Sequence, residues 1–292
     1  MITIDPKEIP VPKMVAYLQG TIAPRPIAFA STIDKNGKVN LSPFSFFNMF
    51  SMNPPILIFS PSRRVRDNTT KHTLQNILEV PEVVINIVSY SMVQQTSLAS
   101  VEFPKGENEF HKSGFTEIPS VRVKPPRVGE SPASFECKVN QVIPLGKEGG
   151  AGNLIVCEVL LAHFKESIFD EAGKIDPQKI DAVARMGGDY YCRAFGESIF
   201  TVPKPTDKIS IGVDQLPANI RNSKVLTGND LGLLASVSEL PDEKSTMEFK
   251  SRAESQRILQ QGEESIHVLA RQYLQEGKVE EAWKVLLASI NC

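Results

Sequence analysis

Residues 23–76, APRPIAFASTIDKNGKVNLSPFSFFNMFSMNPPILIFSPSRRVRDNTTKHTLQN, decide how this chain is read. Ile27, Phe29, Ser31 and Ile33 alternate with Ala28, Ala30 and Thr32. That is the period of a strand, and the small residues on its second face leave room for something flat. Asn36-Gly37 predicts a hairpin with a type I′ turn, where both central residues need φ > 0. Asn40-Leu-Ser-Pro-Phe-Ser-Phe-Phe-Asn48 mixes rings with small polar side chains and reads as an aromatic, backbone-rich loop. Pro54-Pro55 ends it and launches a short strand, Ile56–Phe59, which runs into Ser60, Ser62, Arg63, Arg64 and Arg66. Thr70 is the expected cap of a helix through about Leu78, with Lys71, His72 and Thr73 at its start. Hydroxyls, cations and a helix N-terminus together suit an anionic phosphate. The competing interpretation is a solvated basic loop; the helix start that follows at once favours binding.

The rest of the chain sets limits. With 292 residues, 41% apolar and 23% charged, it has the balance of a globular protein of one or two domains. A net charge of −2 argues against a nucleic-acid or membrane-surface role driven by bulk charge. Cys137, Cys157, Cys192 and Cys292 form no CxxC pair and read as reduced thiols, three of them buried, in a cytoplasmic protein. Residues 1–20 carry Asp5, Lys7, Glu8 and three prolines, unlike a signal peptide. No run approaches the ~20 apolar residues of a membrane helix. GxGxxG after a strand, Walker A, HExxH and GxSxG are all missing, and the four histidines lack metal-ligand spacing. No catalytic or metal-ligating side chain is therefore assigned.

Further along, a short helix is expected around Lys13–Gly20, a central strand over Glu82–Val88 and a helix over Tyr90–Val101. Residues 102–130 form a polar connection long enough to suggest a lid or an edge. Ala133–Ile143 alternates as a half-exposed strand and Asn153–Phe164 is another. Six or so short strands predict a closed or nearly closed barrel. Over Ile175–Arg193 a short helix or turn is expected to end at Gly187-Gly188. Toward the C-terminus, Ile266, Leu269, Ala270, Tyr273 and Leu274, then Val279, Ala282, Trp283, Leu286 and Ile290, have helical spacing around Gly277. This αα-hairpin resembles one tetratricopeptide unit, too little for a solenoid, and reads as a helical appendage.

From about Pro12 to Pro205 the chain resembles the flavin reductase-like family, and within it the flavoredoxin-like branch. APRPIAFAST, NLSPFSFFN, NPPILIFS, KHTLQN, VVINIV and DPQKIDAVARMGGDYYCR carry the resemblance, in the family's order. It implies an FMN-binding split β-barrel over residues 1–205, mainly β with α, followed by a helical extension over 206–292. It also implies an oxidoreductase that passes electrons from a reduced donor through FMN to an acceptor.

The resemblance places the flavin ring along Asn40, Ser42, Pro43, Phe44, Ser45, Phe46 and Asn48. It places the phosphate near Ser60, Ser62, Arg64, Lys71 and Thr73. Arg25 and Asn86 are candidates for ribityl or phosphate contacts, and Arg185 and Tyr190 are expected to reach the flavin from the far side or across a dimer interface. Relatives often have Lys-Asp-Thr where this chain has Lys71-His72-Thr73; the cation and the hydroxyl are kept. Where short NAD(P)H-dependent members carry Gly-Asp-His, this chain has Gly152-Asn153-Leu154, so NAD(P)H is an allowed donor but not an implied one. The alternative is a tightly FMN-bound electron carrier with a protein redox partner. A flavin-free descendant is disfavoured by the retained Ser60, Ser62, Lys71 and Thr73. The family pairs its barrels, so a homodimer is implied.

Overall fold

The computed structural model describes residues 1–203, 209–251 and 260–290. The chain divides into two compact units, Met1–Phe200 and Thr201–Cys292. The boundary expected after Pro205 lies outside the described residues, as does Cys292.

The first unit is built on seven antiparallel strands: β1 (Ala28–Ile33), β2 (Val39–Phe44), β3 (Phe47–Met52), β4 (Pro55–Phe59), β5 (Glu82–Asn86), β8 (Ala133–Pro144) and β9 (Asn153–Phe164). Their order in space is β2-β1-β5-β8-β9-β4-β3. The two outermost strands, β2 and β3, are joined in sequence only by Ser45 and Phe46. The chain therefore turns the corner from one end of the sheet to the other, and the sheet wraps on itself. One interior receives Ala28 and Ala30 from β1, Phe44 from β2, Phe59 from β4, Ile85 from β5, and Cys137 and Cys157 from β8 and β9. The rings of Phe44 and Phe59 lie 5.3 Å apart across it.

Helix α1 (Val11–Thr21) precedes the sheet, and helix α2 (His72–Glu79) joins the sheet's interior through Leu74 and Ile77, three apart and on one face. Its polar buried residues are satisfied: Asn76 donates to Thr32 Oγ1 at 3.2 Å, and Thr73 Oγ1 accepts from Asn40 at 3.0 Å. A second apolar layer, with Ile27, Phe29, Leu41, Met92, Phe110 and Phe115, covers the outer face of β1 and β2. It draws on α3 (Val93–Leu98) and α4 (Glu109–Ser113). Two small hairpins complete the unit: β6 (Glu117–Ile118) with β7 (Arg127–Val128), and β10 (Val183–Arg185) with β11 (Tyr191–Arg193).

Several expectations are corrected. The small face of β1 does not wait for a flat ligand: Ala28 and Ala30 are fully buried against the barrel core. The hairpin turn is not type I′. Gly37 has φ +78° but Asn36 is not left-handed, Gly37 N–H bonds Asp34 C=O at 2.9 Å, and Asp34 Oδ1 takes the N–H of Asn36 and Lys38. The aspartate thus builds a longer loop with glycine at its left-handed position. The aromatic loop is two strands and a corner. Thr70 does not cap α2; Lys71 stands at that position, with no side-chain cap. The long connection after Glu102 holds α4, capped by Asn108 accepting from Phe110 N–H and closed by Gly114 at φ +70°. In residues 175–193 the short helix is Pro177–Ile180, and Gly187-Gly188 lies in the turn of the β10–β11 hairpin. Cys137 and Cys157 are buried, while Cys192 is only partly so.

The second unit is helical. Helices over Gly228–Ala235, Glu243–Lys250, Glu263–Gln275 and Val279–Ile290 share a core with Ile220, Leu234, Ala270, Leu274 and the fully buried Trp283. Trp283 Nε1–H donates to Leu234 C=O at 3.0 Å. Gly277, at φ +75°, lets the chain reverse between the last two helices.

Candidate functional site

Three parts of the first unit meet at the start of α2. Strand β2 brings Asn40 and Ser42; the loop after β4 and the helix start bring Arg64, Lys71, His72 and Thr73; residues 99–103 and α4 bring Glu102 and Glu109. Together they line a polar cleft of about 30 Å³.

Lys71 is the central charge. Its ammonium lies 5.6 Å from the centroid of the Phe44 ring. Among the described residues it makes no ion pair and no side-chain hydrogen bond. Burial pushes its pKa down; Glu102 pulls it back up, and Arg64 adds to the lowering. An ammonium held partly out of water without an anion is costly unless a ligand supplies one. His72 beside it is lowered first by burial and then by Arg64 and Lys105, so the neutral ring is favoured there.

Arg64 is anchored. Its Nε donates to Glu102 Oε1 at 2.6 Å, and its Nη1 donates to Thr69 Oγ1 at 3.0 Å and Thr70 C=O at 2.7 Å. Arg66 reaches the other oxygen of Glu102 at 2.9 Å. Arg63 is spent on Asn68, holding the loop in shape.

Glu109 is buried with its Oε2 accepting the Leu41 N–H at 2.9 Å, which satisfies the outer edge of β2 between Asn40 and Ser42. Burial raises its pKa, against the Leu41 hydrogen bond that lowers it. Neither Glu102 nor Glu109 stands out in the sequence. The Asn108 cap and Gly114 stop would have revealed the helix carrying Glu109, but not that its carboxylate turns toward β2.

Ser60 is buried near the cleft loop, its N–H bonded to Phe46 C=O at 2.9 Å. A Cβ at Gly152 would come 2.6 Å from Ser60 Oγ, so glycine is required there for the hydroxyl to keep its place. The adjacent Asn153 is buried, its amide donating to Pro61 C=O at 3.0 Å. Both residues brace the segment that carries Ser60 and Ser62.

Other expected positions are placed differently. Phe44 packs inside the barrel. Pro43 faces Phe29 in the β1 register, Ser45 and Phe46 form the corner with Phe46 exposed, and Asn48 Oδ1 accepts the N–H of Met49. Arg25 acts as a clamp: its guanidinium donates to the carbonyls of Gln19, Ile22 and Met186 at 2.6, 2.7 and 2.8 Å. Asn86 is likewise internal, bonding Phe29 C=O, Val128 N–H and the Ser134 hydroxyl. Arg185 does not line the Lys71 cleft. It lines a separate cavity of about 390 Å³ with Tyr90, Gln94, Tyr191 and Arg193, its guanidinium 4.6 Å from the Tyr191 ring centroid. Tyr190 is exposed. His163, on β9, bonds Glu136 at 2.7 Å.

With this geometry in view, comparison with known proteins is decisive. The flavin reductase like domain matches residues 21–177. The chain belongs to the flavin reductase-like family. It is 41% identical to a protein of Aquifex aeolicus over 178 residues, 61% of this chain and 88% of the relative. Among solved structures it is similar to nitrilotriacetate monooxygenase component B from Bacillus cereus, with a TM-score of 0.65 and 30% identity over 69% of this chain and 98% of that one. It is also similar to 2-nitrobenzoate 2-nitroreductase of Pseudomonas fluorescens, with a TM-score of 0.62 and 26% identity over 72% of this chain and all (100%) of that one. The wrapped sheet is thus the split β-barrel of this family, as the resemblance implied, and the helical unit follows it in sequence. No helix among the described residues is long and apolar enough to cross a membrane. Among them, no three His, Cys, Asp or Glu side chains are placed to hold a metal.

Proposed function

We propose that this protein is an FMN-binding oxidoreductase of the flavin reductase type, passing electrons from a reduced donor through the flavin to an acceptor. The observation that carries this reading is the Lys71 ammonium: half-buried, without an anionic partner among the described residues, at the N-cap of an eight-residue helix. The residues present fit a flavin phosphate. Lys71 supplies charge, Ser42 and Thr73 supply hydroxyls, and the helix start adds its dipole. When bound, the flavin supplies the redox chemistry. The chain's own residues bind and orient. Thr73 and Asn40 tie the helix start to β2, Glu109 fixes the β2 backbone, and the Ser45–Phe46 corner offers main-chain groups to the ring.

An FMN titration followed by flavin fluorescence tests this. Micromolar or tighter binding is expected, and Lys71→Ala should lose about 1–3 kcal/mol of it, the range for a charge-assisted bond. Unchanged affinity would move the phosphate elsewhere.

A second reading, a flavoredoxin-like carrier with a protein redox partner, draws support from Asn153. Its amide is committed to Pro61, and no imidazole stands at the position where nicotinamide-dependent members have one. Anaerobic titration with NADH and NADPH separates the two: rapid bleaching of bound FMN supports the reductase, and no bleaching by either supports the carrier.

Homodimerisation belongs to the same proposal. Met49, Phe50 and Met52 are exposed on β3, the last strand of the sheet, with Phe50 at 64% and Met52 at 84%. A second barrel would bury this apolar surface. Phe50→Lys should lower the mass measured by sedimentation.

A further inference from the structure

We infer that Glu102 is a built-in competitor for the anion site: its carboxylate holds the cations that a flavin phosphate would use, and so keeps bound FMN exchangeable. The inference rests on the reading that the Lys71 cleft takes the phosphate. Three observations carry it. Glu102 bridges the basic loop, Oε1 to Arg64 at 2.6 Å and Oε2 to Arg66 at 2.9 Å. It also lines the same cleft as Lys71 and lies within electrostatic reach of that ammonium. Finally, residues 99–103, the segment that carries Glu102, form part of the wall of that cleft together with Ser42, Lys71 and Thr73.

A phosphate entering beside Lys71 meets a like charge on Glu102 and seeks the same edge of Arg64. The other charged or titratable groups facing the cleft do not offset this. Glu109 is a second carboxylate, His72 is held toward its neutral form, and Lys105 acts on His72 only from a distance. The carboxylate must therefore withdraw or share Arg64. Its exposed position and its second partner, Arg66, give it somewhere to go. A site built this way binds the phosphate less tightly than its cations alone would allow, which suits a flavin that comes and goes between turnovers.

The test is Glu102→Gln in the full-length protein, which removes the charge and keeps an oxygen to accept from Arg64. FMN and riboflavin dissociation constants are measured for both proteins by flavin fluorescence, with FMN release timed by stopped flow. The expected result is FMN binding about tenfold tighter, with slower release and riboflavin affinity unchanged. Glu102→Asp, with a shorter reach to the arginines, should fall between the two. It serves as the reporter if the glutamine variant melts much lower than wild type. Equal or weaker FMN binding by both variants, with wild type preferring FMN to riboflavin, would make Glu102 a positioning residue for Arg64 and overturn the inference alone. Wild type binding FMN no better than riboflavin would overturn the phosphate reading, and this inference with it.

Discussion

Glu109 shows how one side chain can serve two demands. Its carboxylate satisfies the Leu41 N–H, yet burial raises its pKa, so the charged form is disfavoured in the fold. For a group with a raised folded pKa the sign is fixed: the cost is full above the raised value and is relieved as pH falls through it toward the ordinary glutamate value. Glu109→Gln should thus be at least as stable as wild type at neutral pH, and the difference should shrink on acidification. Glu109→Ala should lose about 1–3 kcal/mol, because the buried N–H is left without an acceptor. Urea melts across pH check both. A glutamine variant clearly less stable at neutral pH would show that the charge itself is needed.

At the scale of elements, the contact between β9 and the loop after β4 depends on a missing side chain. Gly152→Ala puts a methyl 2.6 Å from Ser60 Oγ, and overpacking of this kind costs about 1–3 kcal/mol. Thermal melts should show the loss, and FMN affinity should fall with it if Ser60 is displaced. Strand β8 makes a different demand. Burial is the strongest influence on Glu136 and pushes its pKa up. Hydrogen bonds from Val121 N–H at 2.9 Å, Arg122 N–H at 2.5 Å and the imidazole of His163 outweigh it and bring the net value below the ordinary one. A lowered folded pKa gives stability that is present above the unfolded value and lost as pH falls through the folded one. Glu136→Gln should therefore flatten the acid side of the stability curve below the ordinary glutamate range. A curve of unchanged shape would count against this clasp.

For the whole molecule, the position of Trp283 provides a probe. It is the chain's one tryptophan, and it is fully buried in the helical unit. Tryptophan fluorescence therefore reports the unfolding of Thr201–Cys292, whereas far-UV circular dichroism reports both units. Two separate cores predict non-coincident urea transitions, and excess FMN should shift the barrel's transition while leaving the tryptophan signal nearly in place. Coincident transitions that move together would show one cooperative block.

The sequence alone determined β1, β4, β5, β8 and β9, because period-2 alternation and long apolar runs come from local burial, whereas β3 and most of β2 read as an aromatic loop. β9 has the bounds expected of it, and the last two helices follow their apolar spacing. The motifs, in their order, pointed to the split barrel, and the sequence also placed Lys71 and Thr73 at a helix start. What it did not contain was pairing and partnership. Side chains separated by tens of residues meet only once the sheet wraps. Arg25 spends its charge on Met186, Glu109 reaches Leu41, Glu102 bridges Arg64 and Arg66, and Phe44 turns inward to meet Phe59. Hydrogen bonds and ion pairs over such separations leave no periodic trace in a single chain, so tertiary structure alone decided which polar residues were free to bind and which were already engaged.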